Sequence, residues 1–260
     1  MGAQGNEKNF GGQEKEVRER MVVHVILTGG GSGSRMKNPV NKSFILLSGK
    51  PIIAYSMQLF QAHPQISTIT IIMHPEWVKE ITEWMNRLGI TKVKQIVEGG
   101  KERQDSVRNG LQAIASLNPK PDDIVLVHNA ANPLLTTETI TECIRAAQQN
   151  QASVAGYRIK DTIKRVGDDG KILETLKRSE LWGMQTPQCI QYALFVRAHE
   201  KAQKDSFLGT DDVQLVERLG IKPVVVDCGY ENFKITPPED VGMAERILGK
   251  RRENEKRGGA

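Results

Sequence analysis

Cysteine is scarce. Cys143, Cys189 and Cys228 are widely spaced and odd in number, which excludes a disulfide framework and leaves no zinc-ligand spacing. Long apolar runs are missing as well. Stretches such as Ile69 to Met73 are far too short to cross a bilayer, so no membrane partner is expected. The first twenty residues are polar and lack the apolar stretch of a signal peptide. These absences predict a folded cytoplasmic protein. A strongly basic body is also absent. The formal net charge is +5, and Lys250, Arg251, Arg252, Lys256 and Arg257 against Glu253 and Glu255 place three of those charges after Gly249. Residues 1–20 sum to zero, which leaves roughly +2 on the body, less than a polyanion groove wants. No nucleic-acid partner is expected.

A chain of 260 residues can bury one large core. Residues 1–20 and 249–260 show no apolar periodicity and read as disordered ends, the second of them basic. Between them, 21–248 reads as a single domain. Short β-branched runs predict strands at Val22–Leu27, Ile69–Met73, Val93–Val97, Ile124–Val127, Ser153–Ile159 and Pro223–Asp227. Helical spacing predicts helices at Pro51–Ala62, Glu76–Leu88, Arg103–Leu117, Thr136–Asn150, Ile190–Gln203, Asp211–Leu219 and Pro238–Leu248. In the fourth of these, Ile140, Cys143, Ile144 and Ala147 share a face, so Cys143 reads as core. The alternation implies a Rossmann-like α/β fold, a mostly parallel sheet with helices on both faces.

One segment breaks the alternation. Residues 157–178 read as two extended runs around Gly167-Asp168-Asp169-Gly170, a hairpin turn signal. Arg158, Lys160, Lys164, Arg165 and Lys171 make its body polar, so it cannot be a core hairpin. It predicts a projecting β-hairpin arm that packs on something else.

The first strand runs into Thr28-Gly29-Gly30-Gly31-Ser32-Gly33-Ser34-Arg35-Met36. Glycines there let backbone N–H groups close on an anion, at the strand ends where open α/β sheets bind ligands. No lysine stands in the Walker register. A dinucleotide fingerprint from Gly31 would want Gly or Ala at Met36 and an acidic residue about 20 positions later. From Met21 to Pro75 there is no Asp or Glu at all, while Arg35, Lys37, Lys42 and Lys50 are present. Such a field suits phosphates. Nucleotidyl transfer to a phosphate needs little base catalysis, because the attacking oxygen is already ionised. It needs charge stabilisation, which amides, an Arg fork, a Lys point charge and a divalent cation supply.

The segments GGGSGSRM, PVNKSF, GKPI, EGGKERQDSV, VHNAANP, KDTIK, LWGMQTPQ, GTDD and NFKITPPED occur in the order found in the cytidylyltransferases that include methylerythritol phosphate cytidylyltransferase of isoprenoid synthesis. The resemblance covers about residues 22–248. It implies that Gly29, Gly30, Gly31 and Gly33 wrap a triphosphate, and that Arg35 and Lys42 stabilise the transition state. It implies that Lys234 meets the α-phosphate and that Gly100, the Lys101 backbone and Ser106 hold cytosine and ribose. Thr162 and Arg178 match acceptor-binding residues, and Asp161 stands beside Thr162. The implied partners are CTP, a polyol phosphate and a second copy of the chain, joined as a homodimer through the arm.

Two positions depart from the family pattern. Asn129 stands where an Asp that helps bind Mg²⁺ is usual, and Asn132 where an Arg is usual. Asn129 can still offer an amide oxygen to the metal, without the charge hard cations prefer. Three readings follow: CMP transfer to 2-C-methyl-D-erythritol 4-phosphate, transfer to ribitol 5-phosphate or another polyol phosphate of envelope synthesis, or a weakened nucleotide-binding homologue with a regulatory role. Leu181-Trp182 and Asp161–Lys164 lean toward the first. Among lesser candidates, His24 reads as core and His128 as structural. Asp211 and Asp212 read as helix-opening residues, and Glu231 as a substitute for the missing carboxylate.

Overall fold

The computed structural model describes residues 21–29 and 41–258. The chain order is β1 (Val23–Thr28), β2 (Leu46–Leu47), β3 (Lys50–Pro51), α1 (Ile52–Ala62), β4 (Ile66–Ile72), α2 (Val78–Arg87), β5 (Val93–Val97), α3 (Arg103–Ala115), β6 (Ile124–Asn129), α4 (Thr137–Asn150) and β7 (Ala152–Arg158). Then come β8 (Lys164–Val166), β9 (Ile172–Thr175), β10 (Trp182–Gln191), α5 (Tyr192–Lys204), α6 (Asp212–Glu217), β11 (Val224–Asp227) and α7 (Glu239–Gly258).

Seven strands form the main sheet in the order β11-β7-β10-β6-β1-β4-β5. Pairing is parallel throughout except that β10 runs antiparallel to both β6 and β7. Alternation along β1 explains the two-sided cover. Val25 and Leu27 face α1 and α4 through Ile53, Met57, Ile140 and Cys143. Ile26 faces the other way, toward Val107, Leu111 and Phe195 of α3 and α5. Because both faces are covered, the inner strands are apolar on consecutive positions, as parallel sheets require. At about 25 cal/mol per Å², each fully buried Ile, Leu or Phe here contributes roughly 1.5–3 kcal/mol.

The strand β10 was not foreseen. Gly183 and Pro187 argue against a central strand, and Ile190 reads as the start of a helix. The sheet accommodates Pro187 at a break in register against β7, between Met184 and Gln188, and Ile190 is the penultimate residue of β10 before α5 begins at Tyr192.

A third, smaller cluster of Leu47, Ile52, Leu134, Ile235 and Ala244 seats α7 on the rest of the molecule. The tight β2–β3 turn helps: Ser48 and Gly49 both take positive φ, 48° and 82°, and the Ser48 N–H donates to Glu245 of α7 at 2.8 Å. The basic residues after Gly249 are not a frayed tail as far as they are described. They continue α7 to Gly258, and Arg251 donates to the Leu134 carbonyl at 2.8 Å. The expectations for residues 1–20 lie outside the described residues.

The arm exists as a separate two-stranded sheet of β8 and β9. Its turn closes through Gly170 N–H to Gly167 O at 2.9 Å, with Gly170 at φ 78°. No residue from 159 to 180 is buried, and Arg165 pairs with Glu174 across it at 2.7 Å.

Candidate active site

The carboxyl ends of β1, β4 and β6 form the floor. Gly29, just past β1, donates to Ile72 O at 2.9 Å. A Cβ there would lie 2.9 Å from Met73 Cε, so no larger residue fits without displacement. The Gly29 carbonyl accepts from Asn41 Nδ2 at 2.9 Å and from Ser43 Oγ at 3.2 Å. The glycine loop is therefore tied where it leaves the sheet and where it returns. Gly30, Gly31, Gly33 and Arg35 lie outside the described residues.

Asn41 also caps the short turn Lys42–Phe44, its Oδ1 accepting from Ser43 N–H. That turn aims Lys42 across the mouth, where Nζ donates to Thr236 O at 3.1 Å. The segment carrying Lys234 is pinned in turn by Ile235 N–H to Ala131 O at 2.8 Å. Lys42, the segment carrying Lys234 and the turn after Asn129 are thus brought to one place by the Lys42 side chain and one backbone bond, although they are far apart in sequence.

The wall is the loop before α3. The Gly100 N–H donates to Ser106 Oγ at 3.0 Å, and a Cβ on Gly100 would meet Asp105 Cβ at 2.3 Å. Lys101 is exposed. Two neighbours that the motif reading passed over fix this wall to the start of α6. Arg103 pairs with the buried Asp212 at 2.6 Å, and Gln104 bonds Phe207 O and Gly209 N–H at 3.0 and 2.8 Å. Asp211 caps α6 through Gln214 N–H at 2.9 Å, as expected. Asp212 instead serves the ion pair. The alternating charges of Glu102-Arg103-Gln104-Asp105 were the available signal for Arg103.

Asp161 and Thr162 are exposed at the root of the arm, and Arg178 folds back to donate to Lys160 O at 3.0 Å. Nearby, Lys160 Nζ lies 4.5 Å from the Tyr230 ring centroid, and Tyr230 packs edge-on to Tyr157 at 4.7 Å. The acceptor candidates thus gather in a cluster of their own.

Asn129 ends β6 opposite Thr28. The Thr28 hydroxyl lies 3.2 Å from both Asn129 Oδ1 and His128 O. Among the described residues, no group of three His, Cys, Asp or Glu side chains could hold a metal. Glu231 pairs with Arg251 at 3.1 Å. Among the described residues this corner presents neutral oxygens, the Asn129 amide and the Thr28 hydroxyl, a set that suits a Mg²⁺ ion only where phosphate oxygens supply most of its ligands.

Behind Asn129 lies a buried polar network that sequence alone did not give. His128 contacts Thr186 Oγ1 at 2.9 Å and Asn132 O at 3.0 Å. Asn132 donates to Asn232 O at 3.0 Å, and Asn232 donates to Thr186 O at 2.7 Å. Burial pushes the His128 imidazole down to about 4, so it is neutral at pH 7. His24 is core, as expected: it contacts Thr68 Oγ1 at 2.8 Å and lies 3.7 Å from Asp123.

The model of one family, described as IspD: 2-C-methyl-D-erythritol 4-phosphate cytidylyltransferase, matches residues 23–250. The chain belongs to this family. Relatives within it include 2-C-methyl-D-erythritol 4-phosphate cytidylyltransferase of Halalkalibacterium halodurans, 42% identical over 88% of this chain and 97% of that one. The protein of the same description from Clostridioides difficile is 41% identical over 90% and 97%. Among solved structures, 4-diphosphocytidyl-2C-methyl-D-erythritol synthase from Anaerococcus prevotii superposes with a TM-score of 0.77 at 27% identity, covering 88% of this chain and 96% of that one. The Francisella tularensis enzyme gives 0.71 at 27% identity, covering 86% and 98%. The cytidylyltransferase family match spans both the glycine loop and the arm, and it ends inside α7. The chain is therefore a nucleotidyltransferase with the mixed, mostly parallel sheet of its relatives. No helix among the described residues is long and apolar enough to cross a membrane.

Proposed function

We propose that this chain transfers the CMP part of CTP to the phosphate of 2-C-methyl-D-erythritol 4-phosphate. An ionised oxygen of the acceptor phosphate attacks the α-phosphorus of CTP. The new P–O bond forms as the bond to the bridging α–β oxygen breaks, and pyrophosphate leaves with that electron pair. The observation that carries the reading is the convergence of Gly29, Lys42, the Lys234 segment and Asn129 at the strand ends, within a family match over 23–250.

In this reading Gly29, Gly30, Gly31 and Gly33 hold the triphosphate, while Arg35 and Lys42 meet the charge that grows on the leaving pyrophosphate. Lys234 meets the α-phosphate. Gly100, Lys101 and Ser106 form the wall that admits cytosine and its ribose. Mg²⁺, when bound by the triphosphate with Asn129 Oδ1 as a protein ligand, would neutralise phosphate charge and align the groups. Asp161, Thr162 and Arg178 hold the acceptor, delivered by the arm of a second subunit. The support for a homodimer is the arm itself, which bears exposed Val166, Ile172 and Leu173 and has no core face of its own. The reaction is placed in the cytosol, which suits three cysteines that are all free thiols.

The test is pyrophosphate release with CTP, ATP or GTP against methylerythritol phosphate and ribitol 5-phosphate. The expected result is turnover with CTP and methylerythritol phosphate. Equal turnover with ATP would overturn the base assignment, and preference for ribitol 5-phosphate the acceptor assignment. No turnover in the parent, with turnover in Asn129→Asp, would favour the weakened homologue.

A further inference from the structure

An imidazole in the middle of an apolar core is costly unless its nitrogens are bonded. His128 is completely buried and packs its ring edge-on against Phe60, with centroids 5.5 Å apart. A leucine or phenylalanine would fill the same space without that desolvation cost. Both imidazole bonds run toward the site.

Their directions follow from donor and acceptor chemistry. Asn132 O, 3.0 Å from Nε2, can only accept, so Nε2 carries the proton. A neutral ring then has a bare Nδ1. Nδ1 faces Thr186 Oγ1 at 2.9 Å, so the threonine hydroxyl must donate to it. With its single proton committed, Thr186 Oγ1 presents only lone pairs elsewhere, and the Asn129 N–H lies 3.3 Å away as the donor. The turn after Asn129 is closed from the other side by Asn132 N–H to Asn129 O at 3.0 Å. Asn129 is thereby held at its N–H through Thr186 and at its C=O through a turn whose last carbonyl is also bonded to His128.

We propose that His128 is a positioning residue: by accepting the Thr186 hydroxyl proton it turns that oxygen's lone pairs onto the Asn129 N–H, and so fixes where the Asn129 carboxamide points at the end of β6. This rests on the function proposed above only for its effect on turnover. The relay itself belongs to the ligand-free protein.

The experiment compares the parent with Thr186→Val, Thr186→Ser, His128→Asn and His128→Gln. Turnover is corrected for the folded fraction at the assay temperature. Thr186→Val keeps the shape and loses the relay, and kcat is expected to fall about tenfold with KM for CTP little changed. Thr186→Ser restores the hydroxyl and stays near the parent. His128→Asn, whose carboxamide oxygen can stand where Nδ1 stood, retains more kcat than His128→Gln, which reaches only the Nε2 side. Independently of turnover, nitrogen NMR of the parent at pH 7 should show His128 protonated at Nε2 alone. The Asn129 carboxamide signals should move in Thr186→Val and stay in place in Thr186→Ser. An Nδ1-protonated ring, unmoved Asn129 signals in Thr186→Val, or full kcat per folded molecule in that variant would each overturn the proposal. A parent that does not turn over CTP counts against the proposed reaction, and the NMR readings still decide the relay.

Discussion

Lys42 Nζ sits 3.1 Å from the carbonyl oxygen of Thr236, so the lysine that follows the glycine loop is held two residues from Lys234. The Lys42 side chain and the segment that carries Lys234 meet from opposite ends of the chain, one from a turn capped by Asn41 and one hung on Ala131.

Replacing either lysine should therefore reduce turnover without unfolding the protein. Lys42→Ala is expected to lose about 10²-fold or more in kcat, because it removes a charge that faces the developing anion. Added Mg²⁺ should not restore it. Pyrophosphate release at saturating CTP measures this, with a melting curve as the control for folding. Full turnover in Lys42→Ala would remove the lysine from the mechanism.

The metal corner makes the opposite prediction. A carboxylate at 129 would attract Mg²⁺ by charge rather than by dipole. At an effective dielectric of about 20, that attraction amounts to a few kcal/mol over a few Å before desolvation is subtracted. Asn129→Asp should reach half-maximal activity at less Mg²⁺ than the parent, and it can keep the Thr28 hydroxyl bond at 3.2 Å. A magnesium titration of the two proteins decides the matter. Superimposable curves would place the ion elsewhere.

Gly100 tests the wall. Because an added Cβ would meet Asp105 Cβ at 2.3 Å, Gly100→Ala must push the loop off the start of α3. KM for CTP is expected to rise about tenfold, equivalent to roughly 1.4 kcal/mol, while KM for the acceptor stays put. If both rise together, the loop shapes more than the nucleotide pocket.

The arm should matter for assembly and activity together. Replacing Lys164 to Leu173 by a short turn removes exposed Val166, Ile172 and Leu173 and no core residue. Light scattering should show weaker dimerisation, and turnover should fall with it. An unchanged dimer with full activity would separate the arm from both roles.

Acid should destabilise this fold before it reaches the carboxylates. Burial pushes His199 down to about 4, with Asp212 raising it and Arg108 and Arg103 lowering it further, and His128 is likewise near 4. Unfolded, both would bind a proton near pH 6.5. Between about pH 6.5 and 4 the unfolded state therefore holds more protons, and stability falls as pH falls, by up to about 1.4 kcal/mol per pH unit for each histidine. Melting temperatures from pH 7 to 5 should show a steep decline, and His199→Gln should flatten it. Equal slopes would mean that His199 titrates normally.

Much of this was legible in the sequence, for identifiable reasons. Val23–Thr28 and Val93–Val97 are β-branched runs bounded by turn signals, and local rules suffice for them. The arm announced itself because Gly167 and Gly170 bracket two aspartates within a polar run. Trp182–Gln191 stayed hidden because Pro187 contradicts a central strand unless a register break admits it, and that break exists only once β7 is in place. Residues 250–257 show no apolar stripe, and their helix is held by Arg251 reaching a carbonyl 117 positions away. The network of His128, Asn132, Thr186 and Asn232 links three distant segments, so no local pattern could reveal it. The pairing of Glu231 with Arg251 was hidden for a similar reason, since its partner on α7 lies in a stretch that looked disordered.

The reversed direction of β10 has a mechanical consequence. A strand parallel to its neighbours would enter the sheet at the closed end and reach the mouth last. β10 instead leaves the arm at Trp182 and passes Thr186 within its first few residues, before any part of it is buried under α5. Arm and mouth are joined by a six-residue link, 176–181, that holds the short turn Arg178–Glu180, and then by the extended backbone of β10 up to Thr186. A load on the arm therefore has only that short link and the first four residues of β10 to cross before it reaches Thr186.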